Sequence, residues 1–194
     1  MGTGFLFESE SPELPPIAGL SLRRDYVTVD AEQKIVALID SQPWDSTWER
    51  RRQLFGYSYG RGKQSPPSIP QWGIELAERM QGEGITDRCF DQMLVNEYLP
   101  GQGIASHRDY EPFDRTVVSL SLLSECVMDF RRVKDSHRET LLLPRRSLLI
   151  LSDEARYDWE HGIARRKTDR WHGLPIPRTR RLSVTFRRSK SIKS

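Results

Sequence analysis

The 194-residue sequence has few residues that build covalent or zinc-based frameworks, since it contains only two cysteines, Cys89 and Cys126. Two thiols cannot form a disulfide framework, and they cannot supply a four-ligand zinc site. Because free thiols are typical of a reducing compartment, we expect a cytoplasmic protein. No apolar run approaches the roughly 20 residues that a membrane-spanning helix needs, so we expect no membrane partner.

The sequence also lacks a large excess of one charge, because 30 Lys and Arg residues oppose 27 Asp and Glu residues, for a formal net charge of +3. The cations are nevertheless concentrated after residue 164, at Arg165, Arg166, Lys167, Arg170, Arg178, Arg180, Arg181, Arg187, Arg188, Lys190 and Lys193. Such a basic segment is compatible with an anionic partner such as nucleic acid, although charge alone favours an ordinary solvated surface. The length fits one domain, which we expect to be monomeric.

The pattern of apolar residues changes from helical to alternating near residue 90. Before it, we predict a strand at 17–29, a helix that begins at an N-cap at Asp30 and ends at Pro43, and a second helix at 75–84. After it, alternation predicts strands at 92–99, 115–124, 126–133, 139–144, 146–152 and 181–188. This order predicts a mainly β fold with flanking helices. A double-stranded β-helix, or jelly roll, is the architecture that best accommodates so many short strands.

The segment 96–109, NEYLPGQGIASHRD, ends in a His-x-Asp tripeptide at His107 and Asp109. On a strand, residues two apart project from the same face, so both side chains can reach one metal ion. A second histidine would complete a two-His-one-carboxylate set, which suits non-haem Fe(II) in oxygenases. The candidates are His137, His161 and His172. We favour His161, which follows a predicted strand, whereas the other two lie in polar, loop-like segments.

Arg181 and Arg187 lie six residues apart on the last predicted strand, so both should project from the same face. Each guanidinium can bind a carboxylate through two parallel hydrogen bonds. A pair of arginines on one wall of a cavity therefore suits a dicarboxylate.

Three segments together resemble the AlkB family of Fe(II)/2-oxoglutarate-dependent oxygenases: 96–109, WEHGI at 159–163 and RLSVTFR at 181–187. The Asn-x-Tyr-x-Pro-Gly run, the His-x-Asp tripeptide, the distal histidine and the Arg-x5-Arg pair follow one another in the family's order. The similarity covers about 18–188. It is closest to the oxygenase domain of the tRNA-modifying branch, which acts on a wobble uridine.

The resemblance implies Fe(II), 2-oxoglutarate as cosubstrate and O2, with a ligand set for each of the first two. Iron would be held by His107, Asp109 and His161, which would be the catalytic residues. The cosubstrate would be bound by Asn96, Tyr98, Ile104, Arg181, Ser183 and Arg187. Arg181 would pair with its distal carboxylate, and Ser183 stands where the family often has Asn.

The resemblance also implies a nucleotide lid at about 50–62, within an oxygenase domain at 17–194 that follows an N-terminal arm at 1–16. In this lid, Tyr57 and Tyr59 would stack on a base, and the run Arg50, Arg51 and Arg52 would contact phosphates. We expect Trp44, Trp48 and Phe55 to belong to the core instead.

The function that we expect is oxidative dealkylation of damaged or modified bases in DNA or RNA. A methyl group buried in a duplex cannot reach iron, so the base must be single-stranded or flipped. The alternatives are hydroxylation of a modified wobble uridine in tRNA, a protein hydroxylase, and a non-catalytic jelly-roll binding module. Dealkylation is preferred because the eukaryotic tRNA-modifying members carry additional RNA-binding and methyltransferase domains, whereas this sequence covers the oxygenase domain alone.

Overall fold

The computed structural model describes residues 14–58 and 66–190. Before residue 92, the described chain contains two strands and the two longest helices. These elements are β1 (Leu20–Arg23), α1 (Val29–Asp40), β2 (Arg52–Gly56) and α2 (Gln71–Gly82). The predicted N-cap at Asp30 is wrong: the Thr28 hydroxyl accepts a hydrogen bond from the amide of Ala31. Asp30 lies in the first turn of the helix, where a negative charge favours the helix dipole. The predicted strand at 17–29 is shortened to β1 because Asp25 turns the chain with a φ of 46°.

The rest of the described chain, residues 92–190, contains ten strands and one short helix. These elements are β3 (Gln92–Tyr98), β4 (Ile104–His107), β5 (Val117–Leu122), β6 (Cys126–Arg132), β7 (Arg138–Leu143), β8 (Leu148–Leu151), α3 (Asp153–Tyr157), β9 (Trp159–Ile163), β10 (Thr168–Trp171), β11 (Leu174–Pro177) and β12 (Arg181–Arg187). The six predicted alternating strands are confirmed as β3, β5, β6, β7, β8 and β12. Sequence reasoning did not predict β2, α3, β9, β10 or β11, which are each only four or five residues long.

The strands form two main antiparallel sheets and a separate hairpin. The major sheet has the order β1-β8-β5-β12-β3-β2, the minor sheet has the order β4-β9-β6-β7, and β10 pairs with β11. One face of the major sheet packs against α1 and α2 in a large apolar cluster that includes Ile39, Met80 and Phe186. Its other face packs against the minor sheet in a second cluster, to which Leu149 and Phe130 belong. This two-sheet arrangement confirms the predicted jelly roll with flanking helices.

The register of the strands brings the motif residues together between the sheets. In the major sheet, Ser183 lies opposite Asn96 on one side and Ser121 on the other. In the minor sheet, His107 lies opposite His161. Segments that are distant in sequence therefore meet because β12 lies at the centre of one sheet and β9 lies beside β4 in the other.

The aromatic residues around the predicted lid divide between the core and the surface. Phe55 is buried and Trp44 packs against the large cluster, as expected. Trp48, in contrast, is 59% exposed, so its assignment to the core is wrong. Along the described ranges 14–58 and 66–190, no helix has the length and apolar character needed to cross a membrane.

Candidate active site

A narrow cavity of about 50 Å³ lies between the two sheets. Its walls include eight of the predicted iron and cosubstrate residues: Asn96, Tyr98, Ile104, His107, Asp109, His161, Ser183 and Arg187. Apolar side chains from β6 and β8, such as Met128 and Leu149, form much of the remaining wall. Polar groups from both sheets therefore converge in a cavity that is otherwise apolar, which is typical of a ligand site.

The two histidines of the cavity are held side by side by the pairing of β4 with β9. His107 and His161 occupy partner positions, and their ring centroids are 4.6 Å apart. A Cβ atom on Gly162 would lie 3.0 Å from the amide nitrogen of Ser106, so this glycine allows the irregular strand β4 to approach β9 closely. The other candidates lie elsewhere, since His137 contacts Glu139 at the surface and His172 occupies the turn of the β10–β11 hairpin.

Asp109 reaches the cavity in a way that the sequence did not predict. β4 ends at His107, so alternation along one strand is not what places Asp109 beside the histidines. Its carboxylate forms an ion pair with Arg187, whose Nε donates a hydrogen bond of 2.7 Å to Oδ1 and whose Nη2 lies 2.6 Å from the same oxygen. Its Oδ2 lies 3.6 Å from Nε2 of His161. Its backbone carbonyl accepts a hydrogen bond of 2.9 Å from the buried Arg156.

The protonation states of these groups suit a divalent metal. Burial lowers the pKa of His161 from 6.5 to about 4, although Asp109 opposes the shift, so the imidazole is neutral near pH 7. Burial raises the pKa of Asp109, but Arg187, His161 and Arg156 outweigh it and hold that pKa well below its usual range. A neutral imidazole and an ionised carboxylate are the forms that bind metals.

The donor set fits Fe(II), although its members need a small rearrangement to share one ion. In the described part of the chain, no three His, Cys, Asp or Glu side chains converge closely enough to hold an ion as they stand. The Asp109 carboxylate pairs with Arg187 through Oδ1, whereas its Oδ2 faces His161. Nδ1 of His161 is buried without a hydrogen-bond partner among the described residues.

Arg181 lies beside the cavity and carries unused hydrogen-bond donors. It is only 3% exposed, and it lines a small adjoining space that shares Tyr98 and Ile163 with the main cavity. Its Nη2 donates to Ser121, but its Nε and Nη1 have no hydrogen-bond partner in the described ranges. A buried guanidinium with two free donors fits a carboxylate of a bound ligand.

Two further polar residues near Arg181 have distinct environments. The Ser183 hydroxyl lies 2.7 Å from the Ser119 hydroxyl, and both line the cavity. Burial raises the pKa of Tyr98, so its phenol stays protonated at neutral pH and can donate a hydrogen bond. Both groups are therefore available to bind an oxygen atom of a cosubstrate.

The inner cavity opens into a wider one of about 650 Å³, which we call the mouth. His107 and Asp109 line both spaces. The rim of the mouth carries aromatic and cationic side chains: Trp48, Arg50, Arg52, Arg108, Tyr110 and Arg165. The guanidinium of Arg52 lies 4.5 Å from the centre of the Trp48 ring.

The structure divides the predicted substrate contacts. Arg50 and Arg52 lie at the mouth, whereas Arg51 pairs with Glu97 and packs on Trp44, so we no longer assign it to phosphate. Tyr57 packs edge-on against Phe113, 6.5 Å away, and is not among the residues that line the mouth. Tyr59 lies outside the described residues, as do residues 60–62 of the predicted lid.

Sequence reasoning missed four residues at the mouth, Trp48, Arg108, Tyr110 and Arg165. Tyr110 directly follows the His-x-Asp tripeptide, and it is 54% exposed. Its position next to a metal motif was a signal that could have identified it. The exposure of Trp48 could not be predicted from the sequence. Its local sequence does not distinguish it from the nearby aromatic residues Trp44 and Phe55, which both pack on the core.

Comparison with known proteins shows relatives that match most of the chain. The sequence model of the 2OG-Fe(II) oxygenase superfamily matches residues 31–187. An uncharacterised protein of Acanthamoeba polyphaga mimivirus is 37% identical, over 87% of this chain and 84% of its own length. The Alkylated DNA repair protein ALKBH8 homolog of Arabidopsis thaliana is 34% identical, over 90% of this chain. The tRNA (carboxymethyluridine(34)-5-O)-methyltransferase alkbh8 of Xenopus tropicalis is 36% identical, over 82% of this chain.

The chain spans only part of the last two relatives, namely 59% of the plant protein and 27% of the frog protein. Among solved structures, that of OsALKBH1 superposes with a TM-score of 0.69, covering 91% of this chain and all of the other at 21% identity. This likeness shows a shared fold. Together with the sequence matches, it confirms the resemblance on which the expected cofactors depend. The chain belongs to the 2OG-Fe(II) oxygenase superfamily and to its AlkB family, and it is a dioxygenase that uses Fe(II), 2-oxoglutarate and O2.

Proposed function

We propose that the protein oxidises an alkyl group on an unpaired or flipped nucleobase, and that the reaction is oxidative dealkylation. The observation that carries this proposal is the mouth, where aromatic and arginine side chains surround a space that leads to His107 and Asp109. A base could enter this space only when it is outside a duplex. The names of the plant and frog relatives, which concern DNA repair and tRNA, support a nucleic-acid substrate.

The side chains at the rim suit a nucleotide in two ways. Trp48 and Tyr110 expose ring surface, and stacking on one base is worth about 1–3 kcal/mol without any need to read its identity. Arg52 covers one face of the Trp48 ring, which steadies the ring and leaves its other face for a base. Arg108 lies on the same rim and can contact a flanking phosphate, whereas Arg165 pairs there with Glu49.

The inner cavity suits the cosubstrate and the metal. We assign Fe(II) to His107, Asp109 and His161, and the distal carboxylate of 2-oxoglutarate to Arg181. Tyr98 and Asn96 would donate hydrogen bonds to the cosubstrate, and Arg187 would bind its second carboxylate. Bound iron and 2-oxoglutarate supply the oxidation of a substrate C–H bond by O2, with succinate and carbon dioxide as co-products.

The position of the oxidised carbon decides the outcome of the reaction. A hydroxylated N-alkyl group collapses to an aldehyde and the free base, which is dealkylation. On a carbon without such a leaving group, the hydroxyl remains. Hydroxylation of a modified wobble uridine is therefore the second candidate, and the identity to the tRNA-modifying frog relative supports it. The cationic and aromatic rim supports a nucleic acid over a protein substrate.

A single incubation separates these possibilities. The protein, with Fe(II) and 2-oxoglutarate, is given N-methylated single-stranded DNA or RNA in one series and tRNA with a modified wobble uridine in another. Nucleosides are then identified by mass spectrometry. Loss of methyl with release of formaldehyde is expected, whereas a gain of one oxygen on the tRNA would support the second candidate. Succinate release with neither product would refute the nucleic-acid assignment, and the His161→Ala variant controls for background oxidation.

Two properties remain predictions. We propose a monomer in the cytoplasm, in line with Cys89 and Cys126, which are both free thiols in the structure. Light scattering of the purified protein tests the first property, and fractionation of cells tests the second.

A further inference from the structure

The segment that follows β4 carries two residues of the site without belonging to a strand. Asp109 is the carboxylate of the metal site, and Tyr110 is an aromatic residue of the rim. Because β4 ends at His107, no strand ladder fixes the direction of these two side chains. Another part of the protein must therefore hold this backbone in place.

Arg156 holds this backbone at two successive carbonyls, and the amide of Phe113 also donates to the second of them. Nη1 of Arg156 donates to the carbonyl oxygen of Asp109 at 2.9 Å, and its Nη2 donates to the carbonyl oxygen of Tyr110 at 2.8 Å. One planar guanidinium thus spans two successive peptide units. A lysine in this place could keep the charge, but it would lose the rigid fork that matches both carbonyls.

The burial of this arginine is unusual for a cation. Arg156 is only 2% exposed, and in the described ranges it makes no ion pair, since the partners of the Asp109 carboxylate are Arg187 and His161. A buried charge is unfavourable unless hydrogen bonds compensate it. The two carbonyl oxygens supply that compensation for Nη1 and Nη2, whereas Nε is buried without a partner among the described residues. The position of Arg156 and the path of residues 109–110 therefore depend on each other.

The location of Arg156 links both halves of the metal site. It lies on α3, the five-residue helix between β8 and β9, and five residues before His161. A displacement of α3 would therefore act on His161 through the chain and on Asp109 through the guanidinium.

We propose that Arg156 is a positioning residue that sets the direction of the Asp109 carboxylate toward iron and, at the same time, of the Tyr110 ring toward the base. Arg156 itself contacts neither the metal ion nor the base in this proposal. This inference rests on the proposed ligand set and on the proposed base contact. Its specific consequence is that metal affinity and oligonucleotide affinity depend on one side chain that lies in neither binding surface.

The test compares Arg156→Lys and Arg156→Gln with Arg178→Lys in the full chain. Arg178 is a control for the loss of a buried arginine, because its guanidinium also donates to two backbone carbonyls, those of Gln102 and Ala164, and it pairs with Asp169 instead of holding residues 109–110. Mn(II) binding is measured by electron paramagnetic resonance, and binding of a single-stranded oligonucleotide to the metal-free protein is measured by fluorescence anisotropy. Both use a temperature at which circular dichroism shows each variant to be folded.

We expect both Arg156 variants to bind Mn(II) about 10- to 100-fold more weakly, which is the usual effect of losing a group that orients a metal ligand. Oligonucleotide affinity of the metal-free protein should fall as well. Arg178→Lys should lose thermal stability and yet keep the metal affinity of the wild type, because a general loss of stability does not change binding by the folded fraction. Tyr110→Ala should weaken oligonucleotide binding and leave Mn(II) binding unchanged.

Wild-type Mn(II) affinity in both Arg156 variants would overturn the inference, provided that His161→Ala has lost the metal. If His161→Ala also binds Mn(II) as the wild type does, then the proposed ligand set is wrong, and the inference falls with it. Should neither Arg156 variant fold, hydrogen exchange of the wild type decides. Added Mn(II) should then slow amide exchange in α3 and at residues 108–110 together, and slowing in only one of the two segments would contradict the proposal.

Discussion

Replacement of Arg181 by lysine tests the cosubstrate site most directly. In the wild type, the Nε and Nη1 groups of Arg181 have no hydrogen-bond acceptor among the described residues, and the side chain is almost completely buried. Lysine retains the positive charge, but it cannot present two parallel donors to a carboxylate. We therefore expect Arg181→Lys to lose at least one charge-assisted hydrogen bond to 2-oxoglutarate.

The expected size of the effect follows from that single bond. A hydrogen bond to a charged group contributes about 1.5–3 kcal/mol. Because about 1.4 kcal/mol corresponds to a factor of ten, the dissociation constant of 2-oxoglutarate should rise roughly 10- to 100-fold. Isothermal titration calorimetry without O2, with Mn(II) in place of iron, measures binding in the absence of turnover.

A truncated ligand shows whether Arg181 contacts the distal carboxylate. 2-Oxobutyrate has the keto acid group of 2-oxoglutarate but no second carboxylate, so Arg181→Lys should bind it as the wild type does. The control variant is Arg180→Lys, since Arg180 is the preceding residue and pairs with Asp40 and Glu97 outside the cavity. Equal weakening of both ligands, or no weakening of either, would refute the assigned role of Arg181.

Three other changes test the remaining parts of the site and fold. His161→Ala should abolish succinate production while His172→Ala keeps it, and the reverse result in a succinate assay would show that the distal ligand was wrongly chosen. Trp48→Ala should weaken binding of a single-stranded oligonucleotide by about 1–3 kcal/mol, as measured by anisotropy, and leave uncoupled 2-oxoglutarate decarboxylation intact; unchanged binding would remove Trp48 from the base contact. Burial raises the pKa of Glu97, but Arg51 and Arg180 outweigh it and lower that pKa below 4.5. A carboxylate with a lowered folded pKa stabilises the protein above its unfolded pKa, and this stability is lost as the pH falls through the folded value. Urea unfolding should therefore show a smaller loss of stability between pH 6 and pH 3 for Glu97→Gln than for the wild type. An equal loss would show that the ion pairs of Glu97 with Arg51 and Arg180 do not stabilise the fold.

The sequence by itself determined the elements whose apolar residues form a continuous run or a regular alternation. In β5, β8 and β12 most residues are buried, and apolar residues recur in regular patterns, so these strands could be predicted. The short strands β9, β10 and β11 could not be predicted, because none has the continuous apolar run of β8 or an alternation long enough to distinguish a strand from a loop. The N-cap of α1 was displaced by two residues, since Thr28 and Asp30 are both suitable capping residues and only the path of the chain decides between them.

The motif residues of the site could be named from the sequence because each carries a chemical function that few residue types can supply. The sequence and its family resemblance predicted nine iron and cosubstrate residues, and the structure brings eight of those nine into one cavity, with Arg181 directly beside it.

Only the tertiary structure decided how adjacent residues with similar side chains divide their tasks. Arg50 and Arg52 reach the mouth, whereas Arg51 between them pairs with Glu97, because successive residues of an extended chain point to opposite sides. Likewise, Trp48 is exposed while Trp44 packs on the core, and Arg156 holds the backbone of Asp109 from a helix 47 residues further along the chain. These assignments depend on which surfaces meet in the folded protein. Local sequence carries no record of contacts between segments so far apart.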